Sequence, residues 1–219
     1  LKVQGDISAE NYIVDTTVTR MTQSFASGST IFGDSGDDTH QFTGSLFISG
    51  SRISIDDGKR NTSFGLRAGD SITTGQKNIL LGYRAGNDAY NTGIGSFALY
   101  AITDGNSNVA MGIDVGTALT TGDDNMLIGR QAGNTMTGTS KTILIGRSAG
   151  TAINSTDADG TIAIGYNAGA AITDGQYNTV IGYTAADSLT TGNSTVAIGY
   201  GAAQSLTEQL KNVAIGESA

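Results

Sequence analysis

The chain has 219 residues, enough for one large or two small domains, and only 15% are charged, below the roughly 25% of ordinary soluble domains. A formal net charge of −8 argues against a basic face for phosphate backbones, so nucleic acid is not an expected partner. With 32 glycines, no proline and no cysteine, polyproline, disulfides and thiolate metal sites are excluded, and no apolar run approaches the ~20 residues of a membrane helix.

Residues 1–60 form a separate block, richer in Ser and Asp than the rest of the chain. Apolar and polar residues alternate in "SLFISGSRISID" (Leu46, Ile48, then Ile53, Ile55), and "GSTIFGDS" resembles a degenerate copy of the later repeat centred on Gly33. The block reads as a β-rich leader: short strands that serve as a neck or as a cap on the first coil of the repeat region. It also holds the one catalytic-looking string, "FGDSGDDTH", with Ser35, Asp37 and His40. His40 is the only histidine, so a Ser-His-Asp triad would have to use it. Known triads draw these residues from distant elements, and so short a separation reads as a Gly/Asp-rich turn. No catalytic residue is assigned.

From residue 61 to 219 the chain repeats. Aligning on the glycine after an aliphatic cluster gives Gly65, Gly82, Gly95, Gly112, Gly129, Gly146, Gly165, Gly182, Gly199 and Gly216. The spacings are 17, 13, 17, 17, 17, 19, 17, 17 and 17, so one shortened and one lengthened copy interrupt a strict period. Before each glycine stands a bulky apolar residue: Phe64, Leu81, Ile94, Met111, Ile128, Ile145, Ile164, Ile181, Ile198, Ile215. Two residues earlier the side chain is mostly β-branched (Thr62, Ile79, Thr92, Val109, Ile143, Ile162, Thr179, Val196, Val213). A spacing of two on such residues predicts a strand with both columns on one face, and the bulky column is expected to form the buried core. Three residues after the glycine comes Ala or Val, and seven after it a second apolar column (Ile72, Ile102, Leu119, Met136, Ile153, Ile172, Leu189, Leu206). A Thr-rich column and turn residues such as Asp104-Gly105 and Asp174-Gly175 close the repeat. Each copy therefore reads as strand, tight bend, short strand, turn.

A unit this short cannot bury a core alone. Ordering each residue costs roughly 1–2 kcal/mol, whereas a buried aliphatic side chain returns only about 1.5–3 kcal/mol. Stacking resolves the deficit, because each coil hydrogen-bonds the next at roughly 4.8 Å. The expected fold is all-β, a parallel β-solenoid of about ten coils and on the order of 45–50 Å long. The column Asn61, Asn78, Asn91, Asn108, Asn125, Asn178 and Asn212, with Thr142, Thr161 and Thr195 substituting, suits an amide ladder or a turn cap. The thin interior of such a coil favours association along the axis into more than one chain.

The run "NSTVAIGYGAA" (residues 193–203) and its copies resemble the head repeats of YadA-like trimeric autotransporter adhesins, whose motif is similar to "NSVAIG" followed by a small-residue bend. The resemblance covers about residues 61–219, although the family's repeats are usually shorter. It implies a left-handed parallel β-roll wound from three identical chains. Similar repeats, often written N-x-x-I-G-x-x-A-G, occur in phage tail fibres and other virion fibres, and the leader looks more like those than like a bacterial adhesin. What these likenesses imply is a homotrimeric structural fibre or attachment protein on a virion appendage. Other virion or tail proteins and a host cell-surface glycan are its implied partners, and no cofactor is implied. A bacterial cell-surface adhesin is the close alternative. A tailspike-type polysaccharide depolymerase is the alternative of a different class, but such enzymes use larger coils and a cleft of paired acids. No enzyme is expected. Starting at Leu1 and stopping at Ala219, mid-coil, the chain reads as part of a longer one, in which such fibres often carry a cleaved C-terminal chaperone.

Other motifs are weighed by context. "GIGSFA" (Gly93, Gly95, Ala98) matches a dinucleotide fingerprint only if a helix follows it. The pairs Asp37-Asp38, Asp56-Asp57 and Asp123-Asp124 lack any calcium-loop spacing, so no metal is expected. Asn61, Asn154 and Asn193 begin glycosylation sequons. The residue after the repeat glycine is Tyr83, Arg130, Arg147, Tyr166, Tyr183 or Tyr200 in six copies. Three tyrosines in consecutive coils would pile up at the coil spacing and offer a flat aromatic stripe for sugar rings, or else a ladder that holds the coils. These tyrosines are the candidate surface contacts.

Overall fold

Ten three-residue strands recur, one per repeat. They are β1 (Thr62–Phe64), β2 (Ile79–Leu81), β3 (Thr92–Ile94), β4 (Val109–Met111), β5 (Met126–Ile128), β6 (Ile143–Ile145), β7 (Ile162–Ile164), β8 (Thr179–Ile181), β9 (Val196–Ile198) and β10 (Val213–Ile215). The computed structural model describes residues 60–219 apart from 71, 73–74, 87–89 and 209. The expected leader, with Ser35, Asp37, Asp38, His40, Asp56 and Asp57, thus lies outside the described residues except for Arg60. All ten strands form one sheet in chain order, each neighbouring pair parallel. Register never slips, from Thr62 opposite Ile79 to Val196 opposite Val213. The fold is the parallel β-solenoid that the period predicts.

Glycine ends every strand for a physical reason. Gly112 has φ 144°, a conformation L side chains rarely adopt, and a Cβ there would lie 2.7 Å from the carbonyl oxygen of Gly129 one coil on. The backbone then curls through bonds such as Leu119 N–H to the Gly116 carbonyl (3.1 Å) and Ile172 N–H to the Gly169 carbonyl (3.1 Å). Among the described residues, the second short strand expected in each repeat does not form. Left-handed residues within each coil, such as Ser107 (φ 60°) and Asp114 (φ 55°), break the extended backbone, so turns complete the circuit. The threonine column still bonds across coils, with Thr120 N–H donating to the Thr137 carbonyl at 2.8 Å.

The strand faces are the reverse of the expected ones. The middle residues Leu80, Ala110, Leu127, Leu144, Ala163, Val180 and Ala197 point inward and are fully buried. They meet the alanine column (Ala132, Ala149, Ala168) and the second apolar column (Leu119, Met136, Ile153, Ile172, Leu189). The bulky column assigned to the core, Leu81, Ile94, Met111, Ile128, Ile145, Ile164, Ile181, Ile198 and Ile215, faces outward and is half-buried or exposed. A period of two fixes which residues share a face, but not which face is inside. Packing decides it: the middle residues close against the alanine column and the second apolar column, and their neighbours on either side face out.

The asparagine column is a ladder, as expected. Asn125 Oδ1 accepts the Thr142 backbone N–H (3.0 Å) and hydroxyl (2.7 Å), while its Nδ2 donates to the Thr139 carbonyl (2.9 Å). The same pattern joins Asn91 to Asn108 and Gly105, and Asn178 to Thr195 and Gly192. In the shortened repeat the ladder continues, Asn78 Oδ1 accepting the Asn91 N–H (2.8 Å) while Asn78 Nδ2 donates to Asn61 Oδ1 (3.0 Å), as Asn125 Nδ2 does to Asn108 Oδ1 (2.9 Å). The lengthened repeat absorbs its extra residues in a 3₁₀ turn, Thr156–Ala158, whose Ala158 is buried.

Two substitutions test this frame. Gly112→Ala forces a methyl group into the next coil's backbone and should cost several kcal/mol, on the order of the larger steric and strain effects. Asn125→Ala strands the buried Thr142 N–H and hydroxyl and the Thr139 carbonyl, an expected loss of about 3 kcal/mol or more at 1–3 kcal/mol per unmet group. Urea unfolding followed by circular dichroism reads both. A midpoint close to wild type in either variant contradicts the described ladder.

Candidate functional site

The residues nearest to a functional surface lie outside the coil, on the strands and just past the glycines. Along the strand face, outward columns at the first and third strand positions contain only Thr, Val, Ile, Met, Leu and Phe over all ten rungs. No charge interrupts them. Phe64 (53% exposed), Met111 (40%) and Ile215 (66%) show how open this face is in the single chain. It is a ribbon of apolar side chains repeating at the coil spacing, larger and more continuous than scattered surface aliphatics.

One residue past the glycine the tyrosine ladder forms as expected, but its geometry is specific. Tyr166 and Tyr183 have ring centroids 4.9 Å apart with planes at 15°, and Tyr183 and Tyr200 are 5.4 Å apart at 7°. These rings stack face to face along the axis, so most of each inner face is spent on its neighbour. The Arg147 guanidinium, one coil earlier, covers Tyr166 from 5.6 Å. The rings remain partly open to solvent, Tyr183 at 49% and Tyr200 at 57%, with the faces they turn to each other covered. A sugar stacks on a face, and offset-parallel rings at this separation leave few open.

Tyr83 stands apart from this stack. Phe97 meets it edge-on (5.2 Å, 88°) and also meets Tyr100 edge-on (5.6 Å, 78°). Arg84 lies over all three rings at 5.4, 5.9 and 5.7 Å. The four expected tyrosine contacts thus fall into two clusters, an Arg-filled knot at the shortened repeat and a stacked ladder in the seventh to ninth repeats. Sequence reading missed the knot, because Phe97 and Arg84 sit one column over from the tyrosines. The shortened repeat was its only signal.

Other sequence candidates find structural roles. Gly93 and Gly95 belong to β3 and its terminal bend, and no helix follows to receive a pyrophosphate. Asp123 Oδ1 accepts the Asn106 N–H (2.7 Å), one rung of a second ladder in which Asp159 Oδ1 accepts the Ser140 N–H (2.7 Å). Asn61 is buried in the main ladder and bonds the Gly75 carbonyl, whereas Asn154 is exposed. The threonine hydroxyls also serve the axis, Thr120 Oγ1 donating to the Thr137 carbonyl (2.9 Å) and Thr190 Oγ1 to the Thr207 carbonyl (2.9 Å). At the last coil a cavity of about 360 Å³ is lined by Gly201, Ala203, Leu206, Ala214 and other uncharged residues. Among the described residues no group of three or more His, Cys, Asp or Glu converges as a metal site, and no helix is long and apolar enough to cross a membrane.

No protein-family model, no curated protein and no solved structure matches this chain.

The tyrosine ladder carries part of the fold's stability. Tyr183→Ser removes two stacked contacts of roughly 0.5–1.5 kcal/mol each, an expected loss of about 1–3 kcal/mol. Tyr177→Ser, an exposed ring outside the stack, should stay within about 0.5 kcal/mol of wild type. Chemical denaturation of the two variants side by side tests this, and equal losses would deny the stack any structural part.

Proposed function

We propose that the chain is a rod segment of a homotrimeric fibre, a structural and attachment element of a phage tail fibre or comparable virion appendage. One observation carries this reading: an uncharged apolar ribbon runs the whole length of the solenoid, and none of the described residues covers it. A cover must match side-chain columns repeating at the coil rise, and a second copy of the same chain has that repeat built in. Three copies around one axis turn each ribbon inward and leave the polar turn ladders outside. The likeness of the repeats to YadA-like heads and to virion fibres supports the number three and an extracellular setting. The function of such a rod is mechanical: it holds a recognition element away from a particle or cell. A YadA-like adhesin head on a bacterial surface uses the same physics with a different owner. A host glycan is the proposed partner of the assembled fibre, its contact at Tyr166, Tyr183 and Tyr200 limited to the ring surface that stacking leaves open.

Light scattering on the purified chain should give the mass of three copies. Ile164→Glu, Ile181→Glu and Ile198→Glu together place three carboxylates on the ribbon without touching the interior, and should give monomers that keep the β signature. A folded wild-type monomer at low concentration would sink the proposal. In the same preparation, capsular polysaccharide should keep its chain length, and shortening would favour the depolymerase reading.

A further inference from the structure

We infer that Tyr166, Tyr183 and Tyr200 form a site for oxidative cross-linking, where a one-electron oxidant of the peroxidase class joins successive coils of one chain through carbon–carbon bonds between tyrosine rings. The geometry is unusual for surface tyrosines. Each pair is near-parallel, at 15° and 7°, with centroids only 4.9 and 5.4 Å apart. The strands beneath hold the rings in register, since Ile164 pairs with Ile181 and Ile181 with Ile198. Equivalent atoms of successive rings are therefore held about one centroid separation apart, 4.9 and 5.4 Å. Tyr183 and Tyr200 are about half exposed, at 49% and 57%, so an electron acceptor has access in the single chain.

The chemistry balances with hydrogen peroxide as the co-reactant. Each phenol loses one electron and its hydroxyl proton, giving a phenoxyl radical with spin on the carbons beside the oxygen. Two such radicals couple at those carbons. The hydrogen on each newly tetrahedral carbon then moves to the neighbouring oxygen and restores two phenols. The peroxide takes up the two electrons and two protons released, and becomes two waters. Coupling normally waits for two radicals to meet by diffusion, but here the partner is already in contact. Other tyrosines among the described residues lack this arrangement. Tyr83 and Tyr100 meet Phe97 edge-on, Tyr90 lies under Lys77, and Tyr177 is exposed outside the stack. In a chain without cysteine, this is a covalent staple between coils that needs no disulfide. It also needs no second copy, so it stands apart from the assembly proposed above.

The test is to oxidise the full chain with a haem peroxidase and limiting hydrogen peroxide, then follow dityrosine fluorescence, denaturing electrophoresis and mass spectrometry of a digest. The expected result is fluorescence in the band of single-chain mass, with linked peptide pairs containing Tyr166–Tyr183 or Tyr183–Tyr200, each lighter than the sum of its parts by two hydrogens. Thermal unfolding should shift upward in the oxidised protein. Tyr183→Phe keeps the stack but removes the central phenol, leaving Tyr166 and Tyr200 two rungs apart, and should reduce the single-chain signal to background. Tyr177→Phe should leave it unchanged. Cross-links found only between chains, a signal that survives Tyr183→Phe, or tyrosine consumption without any linked peptide would each overturn the inference.

Discussion

Everything in this molecule depends on coil-to-coil hydrogen bonding at one fixed spacing. Strand pairs supply part of it, but each strand is only three residues long. Backbone bonds across the turns, the asparagine ladder and the aspartate–serine ladder supply the rest, all running along the axis between neighbouring coils. That shared repeat turns every residue position into a column. It also makes the structure intolerant of side chains where backbones meet. The glycine column exists because successive coils approach until a Cβ would meet a carbonyl oxygen.

Columns raise the stakes of each choice along the chain. A buried amide is costly unless it is satisfied. Stacked in a ladder, each asparagine answers the next coil's N–H, so the polar interior becomes a device for holding register rather than a liability. The same logic explains how the repeat absorbs its irregularities. The shortened coil keeps the ladder, with Asn78 Oδ1 still accepting the Asn91 N–H. Two extra residues fold into a 3₁₀ turn that still buries Ala158. In both cases β-strand register on either side is kept.

The outward faces are set by the narrow interior. With the inside filled by the middle strand residues, the alanine column and the second apolar column, the flanking strand residues are left on the surface, where they form an uncharged ribbon. The tyrosine ladder flanks the same strands, one residue past each glycine. There, vertical stacking makes the rings stiffening elements first and contact points second. Cohesion between coils and cohesion between chains are thus separate: the first lies inside the coil and the second on its outer face.

The sequence by itself was enough for the solenoid, its period, its strand positions, its glycine bends and its amide ladder, because each is a local pattern multiplied by stacking. A glycine after an aliphatic cluster, or an asparagine in the same place in seven copies, has the same meaning in every coil. It was also enough to place three tyrosines on consecutive rungs. Only the tertiary structure decided which strand face is inside, since alternation is symmetric and period alone does not distinguish Val180 from Ile181 as the buried residue. Ring orientation was likewise hidden, because spacing sets how far apart Tyr166, Tyr183 and Tyr200 stand but not whether their faces meet each other or solvent. The knot of Arg84, Tyr83, Phe97 and Tyr100 depends on a shortened coil bringing neighbouring columns together, a shape that no single column encodes.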